Sequence, residues 1–399
     1  MFSLLLALIY ICFISLGLPD SLLGSAWPVL HVDIGVPMSY AGIISMVIFI
    51  GTIISSLMCD RVSRKLGSGL MTALSVSLTA IALFGFSISH SFYMLVLFAI
   101  PYGLGAGGVD AVLNNYVALH YKAQHMSWLH CFWGVGASIS PYIMSFSLVK
   151  LNSWSRGYLI VSIIQMCLCV FIFASIPIWK KRGENENGEV EALGEPLKIK
   201  DIISIKGAIP CFFMFFCYCA MELSTSLWAT SYLVEGRGID VNTASAFASL
   251  FYIGITLGRA INGFLAMKFS DKTLIRVGTA IVTLGIGLMF VPTAKIFALA
   301  GFIVIGLGCA PIYPCIIHMT PDVFGRDKSQ AMIGIQMAFA YIGFCVMPPL
   351  FGVIAQYISI KLLPVYLMLI LFAMAICHEI MVAKTKKTNM GGIDEHSNR

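Results

Sequence analysis

The chain has 399 residues, of which 59% are hydrophobic and only 11% charged, and its formal net charge is +6. A soluble domain usually carries about 25% charged residues, so this composition excludes a water-soluble globule and predicts an integral membrane protein. A transmembrane β-barrel is also disfavoured, because barrel strands alternate apolar and polar residues over about 10 positions, whereas residues 38–58 stay mostly apolar.

Apolar runs follow one another along the chain, each long enough to cross a bilayer, which takes about 20 residues. We predict an all-α membrane protein with twelve transmembrane helices, numbered here as predicted spans 1 to 12. They lie at residues 4–31, 38–59, 68–88, 91–120, 125–149, 155–179, 207–233, 242–268, 273–292, 296–319, 329–357 and 361–383.

A polar segment separates the predicted spans into two groups of six. We predict an N-terminal six-helix bundle at 1–179, a cytoplasmic linker at 180–206, a C-terminal six-helix bundle at 207–383 and a cytoplasmic tail at 384–399. The Gly, Asn and Glu residues of the linker are typical of a flexible connector. Its stretch IKDIISI is predicted to be a short amphipathic piece at the membrane surface.

Lysine and arginine are distributed unevenly between the two sides of the predicted bundle. With the N-terminus inside, 19 of the 25 lie in cytoplasmic segments or at the cytoplasmic ends of spans, 5 in outer loops or at the outer ends of spans, and one, Arg259, in the interior of a span. This bias predicts that both termini are cytoplasmic. The dispersed basic residues do not suggest nucleic-acid binding. We expect a multi-pass monomer in the lipid bilayer of a plasma membrane, most simply a bacterial inner membrane.

Several other site types are disfavoured by the sequence. The 12 cysteines lie mostly inside apolar runs, which predicts small buried side chains and not a disulfide framework. No cleavable signal peptide is expected, because the first apolar run is too long. Catalytic motifs and a phosphate-binding glycine loop are absent. We therefore expect no enzyme activity, no metal site and no cofactor, with transport driven by an ion gradient or running downhill.

The two groups of spans resemble each other. Matching elements recur at offsets of 201 to 207 residues, which predicts two structural repeats. They are YGLGAG at 102–107 with IGLGCA at 305–310, Gly136 and Pro141 with Gly343 and Pro348, and Trp27 with Trp228.

Three acids fall inside predicted spans: Asp20, Asp110 and Glu222. A charge at the bilayer centre costs roughly 2.5–3.5 kcal/mol on insertion scales. A poorly hydrated site disfavours the charged form, so such acids can exchange a proton near neutral pH. Arg259 is the only lysine or arginine in the interior of a span and cannot neutralise all three. We therefore predict that these acids couple transport to protons, with Asp20 and Asp110 ahead of Glu222.

Polar and aromatic residues share helix faces with these acids. Asn114 lies one turn after Asp110, and Trp27 lies two turns after Asp20. A sugar needs hydrogen-bond partners for its hydroxyls and an aromatic ring for its apolar face. Several of the candidate residues have an equally good structural explanation, either core packing or helix–helix hydrogen bonds. Trp133, Tyr313 and Gln336 are among them. The predicted substrate-binding residues are Asp20, Trp27, Asn114, His130, Trp133, Ser226, Trp228, Tyr252, Tyr313 and Gln336.

The segment CDRVSRKLG at 59–67 resembles the signature loop of the major facilitator superfamily. Ser56 and Ser63 stand where the pattern usually has glycine, and residues 258–272 resemble a degenerate second copy. The resemblance implies two six-helix bundles around a central polar cavity, alternating access, and a gating role for the signature residues. These are Asp60, Arg61, Arg64, Lys65 and, from the second copy, Arg259.

Within that superfamily, three stretches resemble the fucose–galactose–glucose:proton symporter group: PDSLLGSAWP, GLGAGGVDAVLNNYVA and HCFWGVGASISP. Asp110 stands where a sugar-transporting member has Glu, and His130 and Cys131 stand where it has a sugar-binding Asn. The resemblance implies proton-coupled uptake of a monosaccharide or related polyol but does not identify the sugar. Two alternatives remain: proton-coupled efflux of a small amphiphilic compound, and a transporter-like sensor, although neither linker nor tail resembles an output domain.

Overall fold

The computed structural model describes residues 4–37, 40–179, 197–291 and 295–396. Within these ranges the regular elements are all helices, without a β-strand. The all-α prediction is confirmed for this part of the chain.

The helices are numbered in chain order. In the first half they are Leu4–Asp20 (α1), Leu22–Asp33 (α2), Ala41–Ser87 (α3), Phe92–His120 (α4), Ala123–Lys150 (α5) and Trp154–Ser175 (α6). In the second half they are Ile199–Ser204 (α7), Ala208–Ser231 (α8), Val241–Leu265 (α9), Asp271–Met289 (α10), Lys295–His318 (α11), Thr320–Phe324 (α12), Ser329–Ile354 (α13) and Leu363–His396 (α14). Single 3₁₀ or π turns lie at Ile176–Ile178, Tyr232–Gly236, Ala355–Ser359 and Ile360–Leu362.

In the described residues, nine helical stretches are long and apolar enough to cross a membrane. Two of them exceed a single crossing: Ala41–Ser87 has 47 residues and Ser329–Lys386 has 58, whereas one crossing takes about 20. A shorter apolar stretch, Leu250–Leu265, lies at predicted span 8. These helices account for all twelve predicted spans.

Predicted span 1 is confirmed as one apolar stretch, Leu4–Asp33, but its helix is interrupted at Ser21 between α1 and α2. Pro19 explains the interruption. Proline has no backbone N–H, and its ring crowds the carbonyl four residues earlier, here that of Ser15. The break leaves Asp20 as the last residue of α1.

Predicted spans 2 and 3 form one kinked element, α3, in which Gly67 alone departs from helical dihedrals (φ 76, ψ 163). The predicted loop at 60–67 is therefore helical as far as Leu66. No glycine or proline interrupts it earlier, and Arg64 Nε pairs with Asp60 Oδ2 at 2.9 Å, one turn before it.

The predicted linker and tail also contain helix. Helix α7 occupies the predicted amphipathic segment and buries Ile202, while residues 180–196 of the linker lie outside the described residues. The predicted tail begins at residue 384, yet α14 continues to His396. No proline or glycine stands between residues 365 and 390 to end it earlier.

Packing divides the chain into two compact units. The first comprises Met1–His120 and Trp128–Pro196, and the second comprises Tyr121–Ser127 and Leu197–Arg399. Both units leave large apolar side chains exposed, for example Tyr142 at 78% in the first and Leu369 at 65% in the second. Extensive apolar exposure is unfavourable in water and is expected where helices face lipid.

Within the first unit, α1 and α5 cross at near backbone contact. A Cβ on Gly17 would overlap the carbonyl oxygen of Trp133, and a Cβ on Gly136 would overlap that of Ile14. In the second unit, a Cβ on Gly343 would lie 2.6 Å from the carbonyl oxygen of Phe216. The Gly136–Gly343 match that predicted a repeat thus marks the same kind of helix crossing in each unit.

We expect Gly136→Ala to lower the unfolding temperature of the protein, because the added methyl group forces α1 away from α5. Overpacking of this kind costs about 1–3 kcal/mol. Gly24→Ala is the matched control, since a Cβ on Gly24 meets no heavy atom within 4 Å. Thermal unfolding of the purified variants in detergent measures the difference, and equal unfolding temperatures would contradict the close crossing.

Candidate functional site

The side chain of Asp20 is exposed, although Leu18 and Pro19 directly before it are buried. Its position at the interruption between α1 and α2 places it within the first membrane-spanning stretch, Leu4–Asp33. A carboxylate in such a stretch is a candidate functional group by default. The surrounding side chains of the first unit do not enclose this one.

Two neutral donors from other helices bind the Asp20 carboxylate. Trp133 of α5 donates its Nε1–H to Oδ2 at 2.8 Å, and Tyr102 of α4 donates its hydroxyl to Oδ1 at 3.1 Å. Hydrogen bonds to an ionised group are about twice as strong as neutral ones. Within the described residues, Asp20 has no basic partner. Protonation of Asp20 would therefore leave no cation unpaired.

A second polar chain is buried between α4 and α5. Asn114 donates its Nδ2–H to Asp110 Oδ1 at 2.8 Å, and its Oδ1 lies 3.0 Å from His130 Nε2. Since the amide nitrogen is the donor to Asp110, the amide oxygen must accept, so the hydrogen of this contact belongs to His130 Nε2. All three residues are buried, and Phe13 packs edge-on against the imidazole at 5.3 Å.

In the second unit, Glu222 of α8 lies 3.7 Å from Arg259 of α9. Arg259 is buried, and its guanidinium lies 6.0 Å from the centre of the Tyr313 ring, within the range of a cation–π interaction. Glu222 stands 202 residues after Asp20, an offset within that of the repeat. Corresponding repeat positions thus hold an acid with a cationic partner in one unit and an acid with neutral donors in the other.

Two predicted substrate-binding residues are buried in packing roles. Trp27 is 4% exposed within the apolar core of the first unit, so its ring offers no accessible face. Gln336 is fully buried and donates to Thr320 Oγ1 and Cys211 Sγ, each at 3.0 Å. Helix–helix hydrogen bonding was the alternative explanation that the sequence allowed for Gln336.

The other predicted residues of the second unit remain more accessible. Tyr252 is exposed, while Ser226, Trp228 and Tyr313 are half-buried. Trp228 donates its Nε1–H to the carbonyl of Pro348 at 2.9 Å, which ties α8 to α13.

The signature residues lie at the end of the first half of α3. Asp60 is buried and pairs with Arg64, whereas Arg61 and Lys65 are exposed. Arg259, grouped with them in the sequence, pairs with Glu222 in the second unit.

Tyr102 is the residue of this site that sequence reasoning missed. It belongs to the glycine-rich stretch that served only to define the repeat. The signal that could have identified it is a hydroxyl-bearing aromatic side chain next to the glycines of a predicted span that also carries Asp110.

In the described part of the chain, no group of three or more His, Cys, Asp or Glu side chains is arranged to hold a metal ion.

The family model for the Major Facilitator Superfamily matches residues 9–247 and 211–395. The chain belongs to the major facilitator superfamily. It is therefore a multi-pass membrane transporter, and the predicted family and fold are confirmed.

This major facilitator is 23% identical over 398 residues to Bypass of stop codon protein 6 of Saccharomyces cerevisiae, with 91% of this chain and 80% of that protein covered. It is 23% identical over 323 residues to the glucose/mannose transporter GlcP of Bacillus subtilis, with 76% and 75% covered.

Two solved structures share its fold. The transporter FucP in the outward conformation matches with a TM-score of 0.76 at 14% identity, covering 94% of this chain and 99% of FucP. The proton:xylose symporter XylE matches with a TM-score of 0.76 at 11% identity, covering 95% of each chain.

We expect Arg259→Gln to destabilise this transporter more than Glu222→Gln/Arg259→Gln does. The single variant leaves the Glu222 carboxylate without its cationic partner, and breaking a buried pair costs about 3–5 kcal/mol. The double variant removes both charges. Thermal unfolding in detergent compares them.

Arg276→Gln is the matched control for that comparison. Arg276 binds Glu379 at 2.8 Å, but both side chains are 53% exposed, and an exposed pair contributes about 0–1 kcal/mol. If the single and double variants at Glu222 and Arg259 unfold together with this control, the buried pair does not stabilise the protein.

Proposed function

We propose that this major facilitator takes up a monosaccharide or related polyol together with a proton, by alternating access. The observation that carries the proposal is the Asp20 carboxylate, which is accessible and bound only by the neutral donors Tyr102 and Trp133. An acid balanced by a fixed cation loses its pairing when it is protonated. When Asp20 is protonated, its hydrogen bonds from Tyr102 and Trp133 lose only the extra strength that the negative charge gave them.

A sugar fits the groups around this carboxylate. Asp20 accepts hydrogen bonds, as a sugar hydroxyl requires, and the half-buried Trp133 brings an aromatic ring next to it. The names of similar proteins support the same class, since GlcP is a glucose/mannose transporter and XylE a proton:xylose symporter.

The three acids then have different roles. Asp20 exchanges the proton and meets the substrate. Asp110 accepts a hydrogen bond from Asn114, which also contacts His130, so protonation of Asp110 changes the hydrogen bonds between α4 and α5. Glu222 balances the charge of Arg259. In this proposal a proton gradient is the only driving force, and the protein works as a monomer in a plasma membrane with cytoplasmic termini.

Proteoliposomes test the proposal directly. We expect one member of a panel of monosaccharides and polyols to make the outer medium more alkaline when it is added to wild-type protein without a gradient. Asp20→Asn and Asp110→Asn should abolish this signal, because neither side chain can take up a proton. Counterflow of the same sugar should persist in Asp20→Asn, since asparagine keeps a hydrogen-bond acceptor.

Asp33→Asn is the matched control, because Asp33 also ends a helix and accepts an indole N–H, from Trp154 at 2.8 Å. It should couple like the wild type. The proposal is wrong if no sugar in the panel moves protons, or if Asp20→Asn couples as well as Asp33→Asn.

A further inference from the structure

The backbone carbonyl of Ser15 is the acceptor that Pro19 leaves without its helical donor. Inside a membrane such a group needs a partner from the protein, because no water is at hand. Gln165 of α6 supplies it by donating its Nε2–H to the Ser15 carbonyl at 2.8 Å. The side chain of Gln165 thus replaces the missing hydrogen bond of the interrupted helix.

Gln165 is itself held in place. The hydroxyl of Thr79 in α3 lies 2.8 Å from Gln165 Oε1 and 2.8 Å from the Val76 carbonyl, so its single hydrogen is shared between two acceptors. Its contact with Oε1 favours the amide orientation in which the nitrogen faces Ser15. Ser15, Thr79 and Gln165 are each less than 5% exposed. The three-helix contact is therefore shielded, and a broken bond has no ready substitute in solvent.

This contact adjoins the proposed site. A small cavity of about 10 Å³ is lined by Ser15, Pro19, Thr79, Gln165 and Tyr102, among others. Tyr102 thus borders the Gln165 contact and also donates to Asp20. Ser15 lies five residues before Asp20 on the same helix, so a shift of α1 at Ser15 moves the carboxylate relative to its donors.

We propose that Gln165 is a positioning residue that fixes the end of α1 and so sets the orientation in which Asp20 meets Tyr102 and Trp133. It acts through the backbone of α1, and its effect on transport rests on the proposed function of Asp20. The hydrogen bond from Gln165 to the Ser15 carbonyl, called the clamp below, does not depend on that function.

Hydrogen exchange followed by mass spectrometry tests the clamp without any substrate. We expect Gln165→Leu, which keeps the volume but cannot donate, to speed exchange about tenfold in peptides spanning residues 13–25, because local opening becomes easier. Thr79→Val should have a smaller effect, since the Gln165–Ser15 bond remains.

The same Gln165→Leu change is then compared in a protein that also carries Pro19→Ala. Alanine restores an N–H that can bind the Ser15 carbonyl, so adding Gln165→Leu to Pro19→Ala should change exchange little. The clamp is refuted if Gln165→Leu exchanges like the wild type, or if it speeds exchange equally in both backgrounds.

Transport measurements distinguish a positioning role of Gln165 from a purely structural one. In proteoliposomes, Gln165→Leu should raise the KM for the transported sugar and alter the pH profile of uptake, while Thr79→Val stays near wild type. Faster exchange with an unchanged KM and pH profile would overturn the positioning role. If wild-type protein transports no sugar while the exchange results hold, the proposed function fails and the clamp stands.

Discussion

Inside a bilayer, a backbone carbonyl that has lost its helical donor must find another partner in the protein, and a carboxylate at a helix end is stabilised by donors from neighbouring helices. Around α1, Pro19 creates this need twice. It deprives the Ser15 carbonyl of its helical donor, and the interruption that follows leaves Asp20 at a helix end. Gln165 satisfies the carbonyl, and Tyr102 and Trp133 bind the carboxylate. The contacts at the end of α1 therefore follow from one proline.

Close helix crossings make these contacts possible. Because Gly17 and Gly136 have no side chains, α1 and α5 approach to backbone contact, and this brings the Trp133 indole to Asp20. The second unit repeats the crossing at Gly343 but compensates its acid differently, with Arg259 beside Glu222. The two units thus share a helix crossing but differ in their acids. Asp20 can be protonated without leaving a cation unpaired, whereas Glu222 is held in an ion pair.

The twelve spans, the repeat and the acids within spans could be predicted, because hydropathy and recurring residues are visible in the sequence itself. It did not predict which partner each acid has. The Gln165–Ser15 bond joins residues 150 positions apart, and Glu222 meets Arg259 only because α8 packs on α9. Trp27 and Trp133 look alike in sequence, yet one is in the core and the other binds Asp20. Helix spacing places a residue on a face but does not show what that face meets.

In the proposed mechanism, Asp20 takes up a proton when substrate binds. Isothermal titration calorimetry in two buffers with different ionisation enthalpies, at the same pH, counts the protons exchanged on sugar binding. For wild-type protein above neutral pH, we expect net proton uptake that disappears in Asp20→Asn and persists in Asp33→Asn. Sugar binding without proton uptake in the wild type, or undiminished uptake in Asp20→Asn, would contradict it.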